Sequence, residues 1–454
     1  MTRLLWFLIL VLAILAPVSC VRSKGTTASA NPLALAEEFV DQLARNDLVS
    51  ASSRFDDYMR ETISTECVHA AWQDVVSESG QFKRRAGTRT KMVSDYTVVF
   101  VRCEFERDAN DVRVALDGTG RIHAVFFAPS GSAAEYQETT RAGQPVNPTV
   151  TERDVTVGGG KWPLPGTLTL PEGSGPFPAI VMVHGFGPSD KDESIYANKP
   201  FRDLARGLAA RGIATLRYDK QTFAHGIRIS LIKDMTVKDE AIDDVVLALG
   251  LLRTTDGIDP RRVFLLGHSQ GGTLGPRIAK LDPNVSGLIV MAAPTRPLED
   301  VMLQQINYLA ALDDTLTDVE KAQIKNARHQ AGRAKNGNLS LADPPIFGVP
   351  VSYWVDLRDY RPFEVAREIR QPMLILQGER DYQVGMEDFR RWQQELASTQ
   401  HVTFKSYPSL NHFFIEGRGR PSLEELRAGG QVSETVIDDI AEWVKGQTAV
   451  VVSR

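Results

Sequence analysis

The stretch Gly267-His268-Ser269-Gln270-Gly271 places a hydroxyl between two glycines, and no other stretch is better suited to chemistry. Residues 262–266 before it are mostly apolar and predict a strand, and the residues after it predict a helix. A serine on such a sharp turn has strained backbone angles, and side chains at the flanking positions would collide with neighbouring backbone. Glycines are frequent enough here for the pattern to arise by chance, so its strand and helix context decides the interpretation. Ser269 is therefore a candidate nucleophile.

A serine hydroxyl is a weak nucleophile at neutral pH. It needs a histidine to take its proton and an acid to hold that histidine in one tautomer. Asp381 is the predicted acid, because it follows the apolar stretch 373–376 and would lie in a loop at the end of that strand. Glu379 is the rival acid, but it lies directly against the strand end and has less reach. The order serine, acid, histidine along the chain is a known order for such a triad.

The predicted base is one of two histidines that follow the acid. His401 precedes the strand predicted at 402–406 and would lie at the wrong end of it. His412 follows that strand, and it is the predicted base. His184 and His268 flank the same region, but each belongs to a turn motif in which an imidazole usually supports the loop through hydrogen bonds.

Attack on an acyl carbon creates an oxyanion, and backbone N–H groups stabilise it well because they have little freedom to move. The Gln270 amide is one predicted donor, since it directly follows the nucleophile at a helix N-terminus. The second donor is expected in the loop after the strand predicted at 179–183. Phe186 is the preferred residue there, with Gly185 as the alternative.

Strands and helices alternate through the second half of the chain and would position these residues. The predicted strands are 149–157, 166–170, 179–183, 213–217, 262–266, 286–292, 373–376 and 402–406, with helices at 200–211 and 238–253. Repeated strand-helix units predict an α/β domain with a doubly wound, mostly parallel sheet at 149–447.

A charge-rich, helical insert interrupts this alternation at about 295–361. An insert at this point would lie over the carboxyl edge of the sheet, where ligands bind. It is therefore a candidate lid, and its aromatic residues could face the substrate: Tyr308, Phe347, Tyr353 and Trp354. The alternative is that these aromatic side chains only pack the lid together.

Residues 34–130 form a separate N-terminal domain of α+β type. Helical spacing leads, and alternating strand patterns follow at 97–101, 111–114 and 122–126. Residues 131–148 are rich in Gly, Ser, Ala, Thr and Pro and predict a linker.

The N-terminus predicts export. Arg3 is followed by the apolar run 4–16, which is short for a membrane span but has the length of a signal-peptide core. We expect a signal peptide at 1–20 and a tether at 21–33. Cleavage after the small residues 28–30 is the alternative.

The three cysteines bear on the same point. Residues 17–20 resemble the cleavage site of a bacterial lipoprotein, so Cys20 is expected to carry a lipid that attaches the protein to a membrane. Cys67 and Cys103 could then pair as a disulfide in an oxidising compartment. The alternative is that both are unpaired core thiols and that Cys20 ends a discarded signal peptide.

Composition excludes some functions. The 454 residues are 43% apolar and 24% charged, which describes a globular protein of two or three domains. A net charge of −5, without a basic cluster, gives no electrostatic basis for binding nucleic acid.

Several stretches of the C-terminal domain carry a family resemblance: 184–188 with Asp190 and 192–193, then 198–201, 217–220, 267–272 and 377–384. On these residues the domain resembles the α/β-hydrolases of the secreted bacterial esterase group related to dienelactone hydrolases and serine aminopeptidases. Residues 32–130 resemble a small cone-shaped domain of the nuclear-transport-factor-2-like type, which implies a binding or spacing module.

The first resemblance implies hydrolysis of small carboxylic esters through an acyl-enzyme, with no metal or cofactor. Ser269 would be the nucleophile, His412 the base and Asp381 its orienting acid. A serine aminopeptidase or an acyltransferase would use the same residues. A non-catalytic surface-binding protein is a further alternative, but its sign would be a missing triad member. Phe186 replaces a residue that is often small in the family and would narrow the acyl pocket.

Overall fold

The computed structural model describes residues 31–62, 65–93, 96–129, 150–159, 162–225, 234–312, 316 and 318–447. They form two compact units. The first unit comprises the described residues before 146 together with residue 234 and those of 315–354. The second comprises the described residues of 146–226, 235–314 and 355–454. The signal peptide, Cys20, residues 21–30 of the predicted tether and the linker 131–148 lie outside the described residues, and the last two tether residues, 32 and 33, belong to the first helix, Pro32–Ala44.

Helices precede an antiparallel sheet in the N-terminal part of the first unit. The helices are α1 (Pro32–Ala44), α2 (Leu48–Ser53), α3 (Asp57–Thr62) and α4 (Thr65–Ser79), and the strands are β1 (Phe82–Val93), β2 (Tyr96–Phe105), β3 (Ala109–Leu116) and β4 (Ile122–Pro129). The strands pair in chain order, each antiparallel to the next. The predicted order of helices and then strands is therefore present.

Strand β1 is not among the predicted strands. It lies at the edge of the sheet, and its register with β2 shifts between Arg85 and Thr88. A bulged edge strand has no need of a two-residue apolar alternation, because much of it faces water. The pattern that reveals the other strands is absent here for that reason.

Cys103 lies on β2 with its side chain fully buried, and it is a free thiol. Burial raises the pKa of this thiol to about 12, as expected for a structural rather than a reactive cysteine. The expected disulfide with Cys67 is therefore not formed, and the core-thiol alternative describes Cys103 correctly. The side chain of Cys67 lies outside the described part of the structure.

From residue 150 onwards, strands and helices alternate as predicted. The strands are β5 (Val150–Val157), β6 (Leu164–Pro171), β7 (Phe177–Val183), β8 (Ala214–Tyr218), β9 (Ile258–His268), β10 (Leu288–Met291), β11 (Met373–Gly378) and β12 (Val402–Tyr407). The helices are α5 (Pro200–Ala209), α6 (Gln221–Ala224), α7 (Asp243–Arg253), α8 (Gln270–Leu281), α9 (Leu298–Ala310), α10 (Asp318–Lys335), α11 (Val351–Arg358), α12 (Pro362–Glu368), α13 (Met386–Glu395), α14 (Leu423–Ala428) and α15 (Glu434–Gly446).

The eight strands form one sheet in the order β12-β11-β10-β9-β7-β8-β6-β5. All neighbours from β8 through β7 and β9 to β12 are parallel, whereas β6 is antiparallel to both β5 and β8. The chain runs from β7 to β8 on one side and returns to the other side of β7 as β9. Such a reversal opens a crevice at the carboxyl ends of β7 and β9, where ligands bind on sheets of this kind.

The helix predicted at 238–253 is not uniform. Its first turn, Lys238–Ile242, is a π-helix, and α7 continues from it. A π-turn carries one extra residue per turn and often marks a functional position. Glu240 lies in this turn with its side chain buried.

The insert at 295–361 is helical, as predicted, and contains α9, α10 and α11. Residues 315–354 of the insert fall in the first unit and the rest in the second. Within the part of the chain that the structure describes, no helix is both long and apolar enough to cross a bilayer.

Candidate active site

Ser269 lies between β9 and α8, where the backbone changes direction within one residue. Its φ of 54° and ψ of −121° are outside the usual regions for a residue with a side chain. The Ser269 amide donates to the Met291 carbonyl at 2.8 Å, and its carbonyl accepts from the Thr273 amide at 3.1 Å. Strain of this kind persists only where the surroundings enforce it, and here it presents the hydroxyl at the end of a central strand.

The two glycines around Ser269 are required by close approach of the backbone. A Cβ on Gly267 would lie 2.3 Å from the Gly271 carbonyl oxygen, and a Cβ on Gly271 would lie 2.3 Å from the Val183 carbonyl oxygen. Real Cβ atoms do not come so near to backbone oxygens. The collision predicted from the sequence is therefore real at both positions.

Asp381 and His412 form a buried pair. The His412 Nδ1–H donates to Asp381 Oδ2 at 2.6 Å, and the two side chains are almost entirely shielded from water. The other carboxylate oxygen, Oδ1, accepts from the amides of Gln383 at 2.7 Å and Val384 at 2.9 Å. These bonds prevent rotation of the carboxylate and so hold the imidazole in one tautomer and one orientation.

The rival residues lie elsewhere. Glu379 is exposed and accepts a hydrogen bond from the Ser406 hydroxyl at 2.8 Å. His401 is exposed and precedes β12, at the strand end opposite to the loop that carries His412. The structure thus pairs Asp381 with His412 and leaves both alternatives out.

His268 connects the serine turn to the loop that carries His412. Its ring centroid is 4.6 Å from that of His412, and its Nε2–H donates to the His412 carbonyl at 2.9 Å. Its Nδ1 lies 2.9 Å from Glu193 Oε2, in an ion pair that is not aligned as a hydrogen bond. Burial alone would lower the pKa of His268, but Glu193 and the His412 carbonyl outweigh burial and raise it.

Glu193 also holds the loop that follows β7. Its Oε1 accepts from the Gly185 amide at 2.8 Å. Burial would raise the pKa of Glu193, but the neighbouring His268 outweighs burial and lowers it. Of the two residues predicted as the second oxyanion donor, Gly185 donates its N–H to Glu193. Phe186 as the second donor stays a prediction.

The loop that follows β7 lies directly against Ser269. A Cβ on Gly185 would be 3.2 Å from the Ser269 Cβ. The predicted donor Phe186 directly follows Gly185 in this loop, and the predicted donor Gln270 directly follows Ser269 in its turn. Both positions suit donors to an oxyanion formed at Ser269.

Lys220, after β8, reaches the same loop. Its Nζ donates to the Gly185 carbonyl at 2.9 Å and lies 3.1 Å from Glu240 Oε1. Both side chains are buried. Sequence reasoning did not assign a role to Glu193, Lys220 or Glu240. The only signal was that 192–193 and 217–220 belong to stretches that match the family.

Arg217 anchors the same loop further along. Its guanidinium is buried and contacts Asp192 Oδ1 and Glu152 Oε1, each at 2.9 Å. Burial would raise the pKa of Asp192, but Arg217 and Lys199 outweigh burial and lower it. Asp192 directly precedes Glu193, so this ion pair fixes the backbone that carries the Glu193 carboxylate.

Tyr353 and Trp354, the predicted substrate-binding residues, lie at the start of α11 in the first unit and are buried there. The Trp354 indole N–H donates to the Ile346 carbonyl at 2.8 Å. Its ring packs against Phe347, with the two ring centroids 5.7 Å apart. Their packing is that of a small aromatic cluster. Their part in substrate binding stays a prediction.

His184 supports the loop that follows β7 through a hydrogen bond, as expected for a histidine in a turn motif. Its Nε2–H donates to the Asp190 carbonyl at 3.0 Å, and its ring contacts Phe201 and Tyr218. Burial lowers the pKa of His184 to about 4, partly opposed by the neighbouring Glu193. The ring is therefore neutral at pH 7.

Known families match both parts of the chain. Residues 180–421 match the family described as "Alpha/beta hydrolase family", and residues 36–124 match the one described as "Protein of unknown function (DUF3887)". Esterase EstD from Thermotoga maritima is 34% identical over 413 residues, which are 89% of this chain and 93% of EstD. The chain therefore belongs to the α/β-hydrolase family, which confirms the predicted fold class.

Two further proteins are similar over shorter stretches. Esterase FrsA from Escherichia coli O81 is 25% identical over 225 residues, or 49% of this chain and 50% of FrsA. The solved structure of Est1E from Butyrivibrio proteoclasticus is 16% identical with a TM-score of 0.41, over 65% of this chain and 99% of Est1E.

His184 predicts how stability depends on pH. Because its pKa falls from an ordinary 6.5 to about 4 on folding, the unfolded chain binds a proton between these pH values that the folded chain does not. The stability it contributes is present above pH 6.5 and is lost as pH falls towards 4, by at most about 1.4 kcal/mol per pH unit. In His184→Phe, the urea-unfolding free energy should fall less steeply over this range than in the wild type. The exposed His401→Phe should follow the wild-type curve, and parallel curves for all three proteins would contradict the prediction.

Proposed function

We propose that the second unit hydrolyses carboxylic esters through an acyl-enzyme on Ser269. The observation that carries the proposal is the Asp381–His412 pair at 2.6 Å, whose backbone is bonded through His268 to the turn that presents Ser269. A nucleophile, a base and an orienting acid are the parts that acyl transfer requires.

In the first half of the reaction, the Ser269 Oγ attacks the ester carbonyl carbon while His412 Nε2 takes the hydroxyl proton. The carbonyl oxygen becomes an oxyanion, which accepts hydrogen bonds from the amides of Phe186 and Gln270. The tetrahedral intermediate then expels the alcohol, which receives the proton from His412. Asp381 stays ionised and stabilises the imidazolium.

In the second half, water replaces the alcohol. His412 takes a proton from water, the hydroxide attacks the acyl carbon, and the carboxylic acid leaves as Ser269 regains its proton. The same residue thus acts as base and then as acid in each half. Every proton has a carrier among these residues.

The relationship with EstD over most of both chains supports ester hydrolysis over the alternatives of peptidase and acyltransferase. The prediction of an esterase is confirmed at this level. A non-catalytic binding protein is not favoured either, since Ser269, Asp381 and His412 are all present.

The triad predicts a non-additive pattern of losses. Ser269→Ala and His412→Ala should each lower kcat for a p-nitrophenyl ester by on the order of a thousandfold or more, because nucleophile and base act as one unit. The double variant should be hardly worse than either single variant. Steady-state kinetics on the three proteins measures this, and near-additive losses would mean that His412 is not the base.

Two neighbouring carboxylates provide a matched control for the acid. Asp381→Asn should lose on the order of ten-thousandfold in kcat, as expected when the imidazole is held in the wrong tautomer. Glu379→Gln, in the same loop, should keep wild-type kcat, because its partner is Ser406. Equal losses in both variants would remove Asp381 from the triad.

The aromatic segment around Tyr353 and Trp354 is proposed, on sequence grounds, to set substrate choice. Trp354→Ala should change the ranking of acyl groups, mainly by raising KM while kcat holds. It should also lower the free energy of unfolding by roughly 3 to 5 kcal/mol, because a buried indole is lost. Acyl-chain profiles and thermal melting measured together test both, with Trp354→Phe as the milder control. A large drop in Tm with an unaltered profile would show that the residue only packs.

Export and lipid attachment at Cys20 are also proposed, supported by the apolar run 4–16 and by the residues before the cysteine. Cys20→Ala should release the protein from the membrane fraction and abolish labelling by a radioactive fatty acid. An unchanged distribution would contradict lipidation.

We propose further that residues 32–130 are a nuclear-transport-factor-2-like module, supported by helices that precede a four-stranded antiparallel sheet. A four-stranded sheet that is flat rather than curved into a cone, measured in a crystal of residues 31–130, would contradict this.

A further inference from the structure

Both polar groups of Gly185 are held by buried, charged side chains. The amide donates to Glu193 Oε1 at 2.8 Å, and the carbonyl accepts from Lys220 Nζ at 2.9 Å. Lys220 is 3% exposed and Glu193 is 7% exposed. Burying charge is costly unless each ion is paired, so two such contacts on one loop residue are unusual.

The carbonyl contact bears on the next residue. The Gly185 carbonyl and the Phe186 N–H belong to the same peptide group, which is planar and trans. In a trans peptide the C=O and N–H bonds point in opposite directions. A side chain that fixes the direction of the Gly185 carbonyl therefore fixes the direction of the Phe186 N–H.

We propose that Lys220 is a positioning residue for the oxyanion hole. It holds the Gly185 carbonyl so that the Phe186 N–H points at the developing oxyanion. This inference rests on the proposed function, because it takes the Phe186 amide as a donor to the tetrahedral intermediate. Lys220 itself contacts no reacting atom.

A charged partner also strengthens the donor. Hydrogen bonds from an ammonium group are charge-assisted, and a peptide whose carbonyl accepts such a bond is polarised along its length. Water is excluded from Lys220, so this polarisation is not screened. The Phe186 amide becomes a better donor as well as a fixed one.

Glu240 holds the ammonium in this place. Its Oε1 lies 3.1 Å from Lys220 Nζ and also accepts from the Thr222 hydroxyl at 3.0 Å. Glu240 belongs to the π-helical turn Lys238–Ile242, which the amphipathic pattern predicted as ordinary helix. The carboxylate that balances the charge of Lys220 therefore lies in the turn that departs from α-helical geometry.

The test compares Lys220→Met with wild type. Methionine keeps an unbranched stem and removes the ammonium, so kcat for a p-nitrophenyl ester should fall roughly tenfold to hundredfold, while KM stays within about twofold. The affinity for a trifluoromethyl ketone, which adds to Ser269 to form a tetrahedral oxyanion, should fall by the same factor as kcat/KM. A role in stability alone would leave both quantities unchanged in the folded protein.

Arg253→Met is the matched control. Arg253, the last residue of α7, forms another shielded ion pair with Asp282, the residue after α8, and the substitution breaks that pair. It should lower Tm and leave kcat and ketone affinity unchanged. Lys220→Arg keeps a cation and should recover at least part of the activity lost in Lys220→Met. If Lys220→Met does not fold, Lys220→Gln serves instead, with a roughly tenfold loss of kcat at unchanged KM.

Unchanged kcat and unchanged ketone affinity in a folded Lys220→Met would overturn the inference. The same result in Lys220→Gln would do so if that variant is used. Losses of kcat and ketone affinity in the Arg253→Met control that equal those in the Lys220 variant would overturn it as well. Ser269→Ala, assayed in parallel, separates this failure from that of the proposed function. Wild-type turnover in Ser269→Ala would refute the triad. Lost turnover there, together with normal kinetics in the Lys220 variant, would refute the role of Lys220 alone.

Discussion

The strained turn at Ser269 is the constraint on which the rest of this structure depends. A backbone with φ of 54° is unfavourable for serine, so strand β9 before it and helix α8 after it must enforce the turn. The close approach of Gly271 to the Val183 carbonyl leaves no room for a side chain. The parallel strands β7 and β9 therefore meet at a point where only glycine fits, and the hydroxyl emerges at the crevice between them.

Buried charge organises the loops around that turn. Glu193 joins the Gly185 amide to His268, and His268 joins the serine turn to the His412 carbonyl. Lys220 and Glu240 hold the other side of Gly185. Buried ion pairs add little net stability, since desolvation offsets their attraction, but they tolerate few alternative geometries. Their contribution here is a loop held in one conformation before substrate arrives, which is what oxyanion stabilisation requires.

Local pattern predicted every described strand except β1, and it did not single out the helices α13, α14 and α15. Buried parallel strands such as β7 and β11 are continuous apolar runs, and the sequence shows them plainly. Strand β1 was not predicted, because its edge position and its bulge remove the alternation of apolar and polar residues. The π-helical turn before α7 was predicted as ordinary helix, because amphipathic spacing does not distinguish it from an α-helical turn. The expected disulfide was wrong because compartment and cysteine count say nothing of where a side chain points, and Cys103 points into the core.

The sequence by itself determined the fold class, the strand-to-helix turn at Ser269 and the order of the candidate serine, acid and histidine. Each of these is written in short stretches whose residue types have a local physical meaning, such as glycine beside a strained serine. Only the tertiary structure decided that Asp381 rather than Glu379 reaches His412, and that the Gly185 amide is taken by Glu193. Asp381 and His412 are 31 residues apart in the chain, and Gly185 and Glu193 are eight residues apart within one irregular loop. Neither pairing leaves a periodicity in the sequence, so folding has to bring the partners together before they can be recognised.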